Sequence, residues 1–202
     1  MKPSKPSEVE RHIQECVEQG DSSRAVELAL SYCRAQIQIW LRTILPAETD
    51  ANDAFSLFCE DLWKGLPGFR WESAFMTWAY RLAHNAAFRH ARRTIREQPT
   101  DHLPAVAAPG ERSRTAPWIR SDVKSRFKRL REQLEPRDRM VLMLRVDRGM
   151  AWEDIVQIVA EDGELSKDEL RRAASALRQH FQRVKARLHE LAAAEGMLRS
   201  TV

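Results

Sequence analysis

The strongest constraint in this sequence is a hydrophobic period of three and four residues that fills two blocks and fails between them. In residues 25–45, Ala29, Cys33, Ile37, Trp40, Leu41 and Ile44 fall at helical steps. Near the other end, Leu170, Leu177, Phe181, Val184, Leu188 and Leu191 are spaced seven, four, three, four and three apart, which draws one apolar stripe along a long helix. Alternation of the strand type occurs nowhere with conviction, and only 7 Gly and 9 Pro are too few turn residues for a many-stranded sandwich. The expected fold is all-α. Between the blocks, residues 94–118 carry Pro99, Pro104, Pro109, Gly110 and Pro117 and no period. Such a stretch cannot bury enough surface to order itself, so it reads as a flexible linker. The expected plan is two small helical domains: a tail or helix start at 1–22, a first domain at 23–97, a linker at 98–118 and a second domain at 119–202.

Punctuation refines this plan. Pro46 ends the first long helix, and Asp50 or Asp53 is placed to cap the next, which carries Phe55, Phe58, Leu62 and Trp63. Leu66-Pro67-Gly68 breaks that helix, residues 69–73 form a loop, and Ser73 is the expected N-cap of a helix running to about Arg93. In the second block a basic amphipathic helix covers 122–134, and Pro136 opens an apolar one that stops at Asp147-Arg148-Gly149. A short helix follows at 151–160, then the acidic Glu161-Asp162-Gly163-Glu164, then the long final helix.

Charge matters by position more than by sum, since 33 Lys plus Arg against 29 Asp plus Glu leave only +4. Arg81, Asn85, Phe88 and Arg92 share one helix face. Guanidinium, amide and an exposed ring suit nucleic acid, by phosphate, base-edge and stacking contacts respectively. A solvated basic helix end answering the helix dipole is the competing reading. The last helix carries Arg171, Arg172, Arg178, Gln179, Gln182, Arg183 and Lys185 opposite its apolar stripe. Behind a short helix and a turn, this is the outline of a helix-turn-helix with a basic reader, against a coiled-coil-like helix with charged flanks.

Little else points to chemistry. The sequence has no phosphate-cradling glycine loop, no His-Glu-x-x-His, no Gly-x-Ser-x-Gly and no Cys-x-x-Cys, so no enzyme, catalytic residue, metal or cofactor is expected. Cys16, Cys33 and Cys59 are too few and too far apart for a disulfide framework, and read as small buried or half-buried side chains. No run approaches the roughly 18 apolar residues of a membrane span and no secretory leader opens the chain, so a cytoplasmic protein without membrane insertion is expected.

Two stretches resemble a known family. Asp50-Ala51-Asn52-Asp53, followed by Gly68-Phe69-Arg70-Trp71-Glu72-Ser73-Ala74-Phe75-Met76-Thr77-Trp78-Ala79-Tyr80-Arg81-Leu82-Ala83-His84-Asn85, resembles region 2 of bacterial RNA polymerase sigma factors. Leu134-Glu135-Pro136-Arg137-Asp138-Arg139 through Gly149-Met150-Ala151-Trp152-Glu153-Asp154-Ile155 resembles region 4. The order and the intervening linker match the extracytoplasmic-function (ECF) group.

The resemblance implies core RNA polymerase (β and β′ subunits) and promoter DNA, duplex and single-stranded, as partners, and leaves room for an anti-sigma protein. It implies that Asp50, Asp53, Ser56 and Glu60 face the polymerase. Minus-ten contacts would come from Phe69, Arg70, Trp71, Ser73, Phe75, Trp78, Arg81, Asn85, Phe88 and Arg92. Minus-thirty-five contacts would come from Arg178, Gln179, Gln182, Arg183 and Lys185.

Three departures stand out. Ser56-Leu57 replaces a Gln-Glu pair, Trp71 replaces a Gly, and about fifteen residues (161–175) stand where the family has about four. That insertion is expected to point away from DNA. A helix-turn-helix regulator with an N-terminal sensing domain is the alternative function, and a purely structural helical adaptor is a third reading that the basic faces oppose.

Overall fold

The two blocks become two helical units. A computed structural model describes residues 7–45, 47–97, 120–160 and 165–197; among them are eight α-helices and no strand. Residues 7–97 with 157–160 group as one unit, and 120–156 with 165–197 as the other. The linker at 98–118, the N-terminal 1–6, Pro46 and the acidic 161–164 lie outside the described residues.

In the first unit, α1 (Glu8–Glu18) and α2 (Ser22–Ile44) are joined by Gly20-Asp21. Gly20 has φ +77°, its N–H donates to the Val17 carbonyl, and the Asp21 N–H reaches the Cys16 carbonyl. This is a Schellman close, which favours glycine because a Cβ is disfavoured at that φ. Asp21 then caps α2 by accepting from the Arg24 N–H at 3.0 Å. Within the stretch 1–22, expected as a tail or a helix start, residues 8–18 form a packed helix. After α2 come α3 (Glu48–Gly65), a 3₁₀ turn (Leu66–Gly68) and α4 (Phe75–Glu97), so helix continues four residues past the expected end at Arg93.

Helix α2 packs on α1, α3 and α4 and is the hub of this unit. Its Ala29, Cys33, Ile37, Trp40 and Leu41 are fully buried, with Phe58 and Leu62 of α3 and Ala79, Ala83 and Ala86 of α4. The alanines let α4 approach closely. Trp40 meets Tyr80 edge-on at 5.6 Å. Each large side chain so enclosed stabilises the unit by roughly 1.5–3 kcal/mol. Burial also pushes the Cys33 thiol up to about 12, so it is an inert packing group, while Cys16 and Cys59 are half-buried thiols. Helix α3 starts at Glu48 with Ala47 as its uncapped flank, so neither Asp50 nor Asp53 caps it.

In the second unit, α5 (Arg120–Glu132) and α6 (Pro136–Leu142) pack on α8 (Lys167–Ala194), and the first part of α7 (Trp152–Val159) belongs here through residue 156. Helix α6 runs on into a single π turn, Met143–Asp147, in place of the continuous apolar helix expected there. Two arginines brace the exit. Arg131 grips Asp147 with both terminal nitrogens, at 2.7 and 3.0 Å. Arg145 donates to the Met150 carbonyl at 2.7 Å and lies over the Trp152 ring at 4.8 Å. Gly149, at φ +64°, makes the turn between them. Trp152 meets Phe181 edge-on at 5.2 Å, which fixes α7 against α8.

Candidate nucleic-acid interface

The loop 69–74 and the start of α4 gather four aromatic rings. Phe69 stacks on Trp78 at 4.6 Å, lies 4.8 Å from Trp71 and meets Phe75 edge-on at 6.4 Å. Gly65 makes room for the group, because a Cβ there would come within 3.1 Å of the Trp78 ring. Trp71 has φ +58°, the only non-glycine residue in the left-handed region among those described. That conformation costs about 1–2 kcal/mol for a residue with a Cβ. One aromatic pair returns only about 0.5–1.5 kcal/mol. The area that the half-buried ring removes from water adds to that pair, so the strain is offset locally. The position is the one where the resemblance leads one to expect glycine, and the positive φ gives that expectation a physical reason.

The structure sorts the residues expected to contact the minus-ten element. Arg70, Asn85, Phe88 and Arg92 are exposed, and Phe69, Trp71, Ser73, Trp78 and Arg81 are half-buried. Phe75 is fully enclosed and presents no surface to DNA; it supports the other rings from beneath. Phe88 is 41 % exposed, stacks with His84 at 6.2 Å and lies under the Arg92 guanidinium at 4.8 Å. The face 81–85–88–92 is thus assembled as expected from its spacing. Two neighbouring side chains are engaged elsewhere: Arg89 pairs with Asp61, and His90 meets Asp50 at 3.1 Å.

Ser73 does not cap α4. Its hydroxyl faces the Ala74 carbonyl at 3.4 Å, and the Phe75 N–H is taken by Glu10 of α1 at 3.0 Å.

On α3, Asp53, Ser56 and Glu60 are exposed along one face. Asp50, expected among them, is half-buried and turned to His90. Ser56 donates back to the Asn52 carbonyl at 3.1 Å, and Glu60 pairs loosely with Lys64 at 3.6 Å. Sequence reading missed Trp63 here. It belongs to the outer face, seven residues after Ser56 and three after Glu60, and is 53 % exposed. The helical spacing from Ser56 carries the signal.

In the second unit, Arg178, Gln179, Gln182, Arg183 and Lys185 are all exposed on α8, while Leu177, Phe181, Val184 and Leu188 are buried on the opposite side. Among the described residues neither Arg178 nor Arg183 pairs with a carboxylate, so both guanidinium groups are available for phosphate or base edges. His180, in the same turn, is instead held by Asp138 at 2.6 Å.

The extra segment (161–175) is described from Leu165 onward. From Lys167 onward it is the first part of α8 itself, opened by a capping box between Ser166 and Glu169. The Ser166 hydroxyl and N–H hold the Glu169 carboxyl below its ordinary value. Residues 167–175 therefore lengthen the expected reader along its own axis by roughly 13 Å at 1.5 Å per residue. Arg171 and Arg172 stand on the same exposed side as Arg178 and Gln179, with Arg171 near Asp168 at 3.7 Å.

Comparison with known proteins agrees with this geometry. The model of the Sigma-70 region 2 family matches residues 30–97, which take in most of α2 and all of α3, the aromatic loop and α4. The RNA polymerase sigma-H factor of Pseudomonas aeruginosa is 27% identical over 161 residues, covering 75% of this chain and 83% of that protein. Three quarters of the chain exceeds everything before the second unit, so that similarity continues into it. Residues 30–97 therefore belong to the Sigma-70 region 2 family, and similarity to a sigma factor extends over three quarters of the chain.

Proposed function

We propose that the chain is a sigma factor of the ECF group that joins core RNA polymerase and directs initiation at a set of promoters. The observation that carries this reading is a coincidence of place. The family match at 30–97 falls on the unit that displays the aromatic loop and the 81–85–88–92 face. In this reading the first unit opens and holds the minus-ten single strand, and α8 reads the minus-thirty-five duplex. The exposed face of α3, with Asp53, Ser56, Glu60 and Trp63, meets the polymerase. A helix-turn-helix regulator with a sensing domain is not favoured, since the match occupies the place the sensing domain would need. No helix among the described residues is long and apolar enough to cross a membrane.

Strand opening in this scheme needs no reaction at the protein. Unpairing costs roughly a few kcal/mol per extruded base, and stacking on protein rings returns about 1–3 kcal/mol per base. A small group of well-placed rings and amides is thus enough to tip the balance. The combined change Asn85→Ala with Phe88→Ala is expected to lower open-complex formation about tenfold or more, by loss of one stacking and one amide contact. Permanganate reactivity of unpaired thymines measures the opening, and a pull-down with core polymerase measures assembly. Opening should fall while assembly holds. Equal loss in both would mean that the face serves folding instead.

A further inference from the structure

Helix α4 begins without a cap of its own. Its flanking residue is Ala74, a poor cap, and the Ser73 hydroxyl faces a carbonyl. The first N–H groups of a helix need acceptors from elsewhere. One comes from the other end of the unit. Glu10 is 8 % exposed and, with Thr77, one of two buried polar side chains among the described residues. Its Oε2 accepts from the Ser7 N–H at 2.8 Å, which closes the capping box of α1. Its Oε1 accepts from the Phe75 N–H at 3.0 Å, across 65 residues of sequence. One carboxylate thereby closes two helix N-termini, where the positive ends of both helix dipoles favour its charge.

The residue held is the one that supports the aromatic group. The Phe75 ring lies 5.9 Å from Trp78, 6.4 Å from Phe69 and 6.1 Å from Tyr32 of α2. Between Phe69 and Phe75 the chain passes through the left-handed Trp71, a turn that holds only while both its ends are held. We infer that Glu10 is a positioning residue for single-strand capture. It fixes where α4 starts, and so the placement of Phe69, Trp71 and Trp78, without touching DNA itself. Helix α1 then belongs to the minus-ten apparatus. This inference rests on the reading of loop 69–74 and α4 as the single-strand surface.

The test uses holoenzyme and a promoter mapped for this chain. Affinity is measured for a single-stranded non-template minus-ten oligonucleotide and, separately, for the minus-thirty-five duplex, with core binding matched. Glu10→Ala is expected to weaken single-strand binding about tenfold, the upper range for a lost cap, and to leave duplex binding within about twofold. Glu10→Gln keeps one oxygen for the Phe75 N–H but sets an amide N–H₂ against the other donor. It is expected to recover part of the loss, and it stands in should the alanine variant fail to assemble. Equal loss on both DNAs would reduce Glu10 to a folding role and overturn the inference. So would unchanged single-strand affinity. If wild-type holoenzyme prefers neither DNA, the interface reading itself fails, and that result is distinct from a Glu10 variant matching an active wild type.

Discussion

Reversing the charge of both Arg178 and Arg183 to Glu is expected to weaken binding to a minus-thirty-five duplex by about a hundredfold, with a salt slope shallower by roughly two. Both side chains are exposed on α8, and among the described residues neither has a carboxylate partner. Each phosphate contact contributes close to one counterion to the salt dependence. A base-edge contact by either arginine adds about 1–3 kcal/mol of discrimination and leaves the slope alone. A titration at several salt concentrations therefore separates the two uses: slope falls for phosphate contacts, and specificity falls for base contacts. Stability should hardly move, because the buried stripe of Leu177, Phe181, Val184 and Leu188 lies on the other side of the helix. An unchanged affinity would remove α8 from the interface.

Replacing Trp40 by Ala is expected to be the most damaging single change for folding. The ring is fully buried on α2, the hub helix, and meets Tyr80 of α4 at 5.6 Å. Truncating an enclosed tryptophan costs about 3–5 kcal/mol. A unit of this size has roughly 5–15 kcal/mol in total and loses about 4–8 °C of midpoint per kcal/mol. A drop of about 15 °C or more in the thermal midpoint, followed by circular dichroism, is the expected result.

Trp63→Ala on α3 is the matched control. That ring is 53 % exposed, so its loss should shift the midpoint by only a few degrees while weakening capture of core polymerase. The same residue type thus gives a folding defect at one position and a binding defect at the other. A large midpoint shift for Trp63→Ala would place it in the core and remove it from the polymerase face.

The helices were legible because burial follows their period. The seam of α4 and the stripe of α8 repeat at helical steps, and the middle of that stripe, Leu177, Phe181, Val184 and Leu188, is buried. The face of Asn85, Phe88 and Arg92 was legible for the same reason, since spacing alone puts residues on one side of a helix. What escaped depends on contacts between distant parts of the chain. Ser7 and Glu10 show a capping box in sequence, but nothing local says that the same carboxylate also reaches Phe75. Trp63 has the composition of a core residue, and only the placement of α3 against its neighbours leaves it outside.

The start of α8 lay between these cases. Ser166 and Glu169 form a capping box that the sequence displays, and it marks a helix beginning at Lys167. The apolar stripe that begins at Leu170 falls within that helix. The positive φ of Trp71 has no sequence signal except the glycine expected there.

Specific initiation separates a sigma factor from a promoter-binding regulator most directly. Purified chain is added to core RNA polymerase on a template carrying the promoter of a transcript that rises when the chain is overproduced. Run-off products are then compared with and without the chain. The expected result is a discrete transcript that starts at the mapped position, requires the chain and needs no other sigma factor. Transcription that appears only when a second sigma factor is supplied would contradict it and leave the chain a promoter-binding regulator.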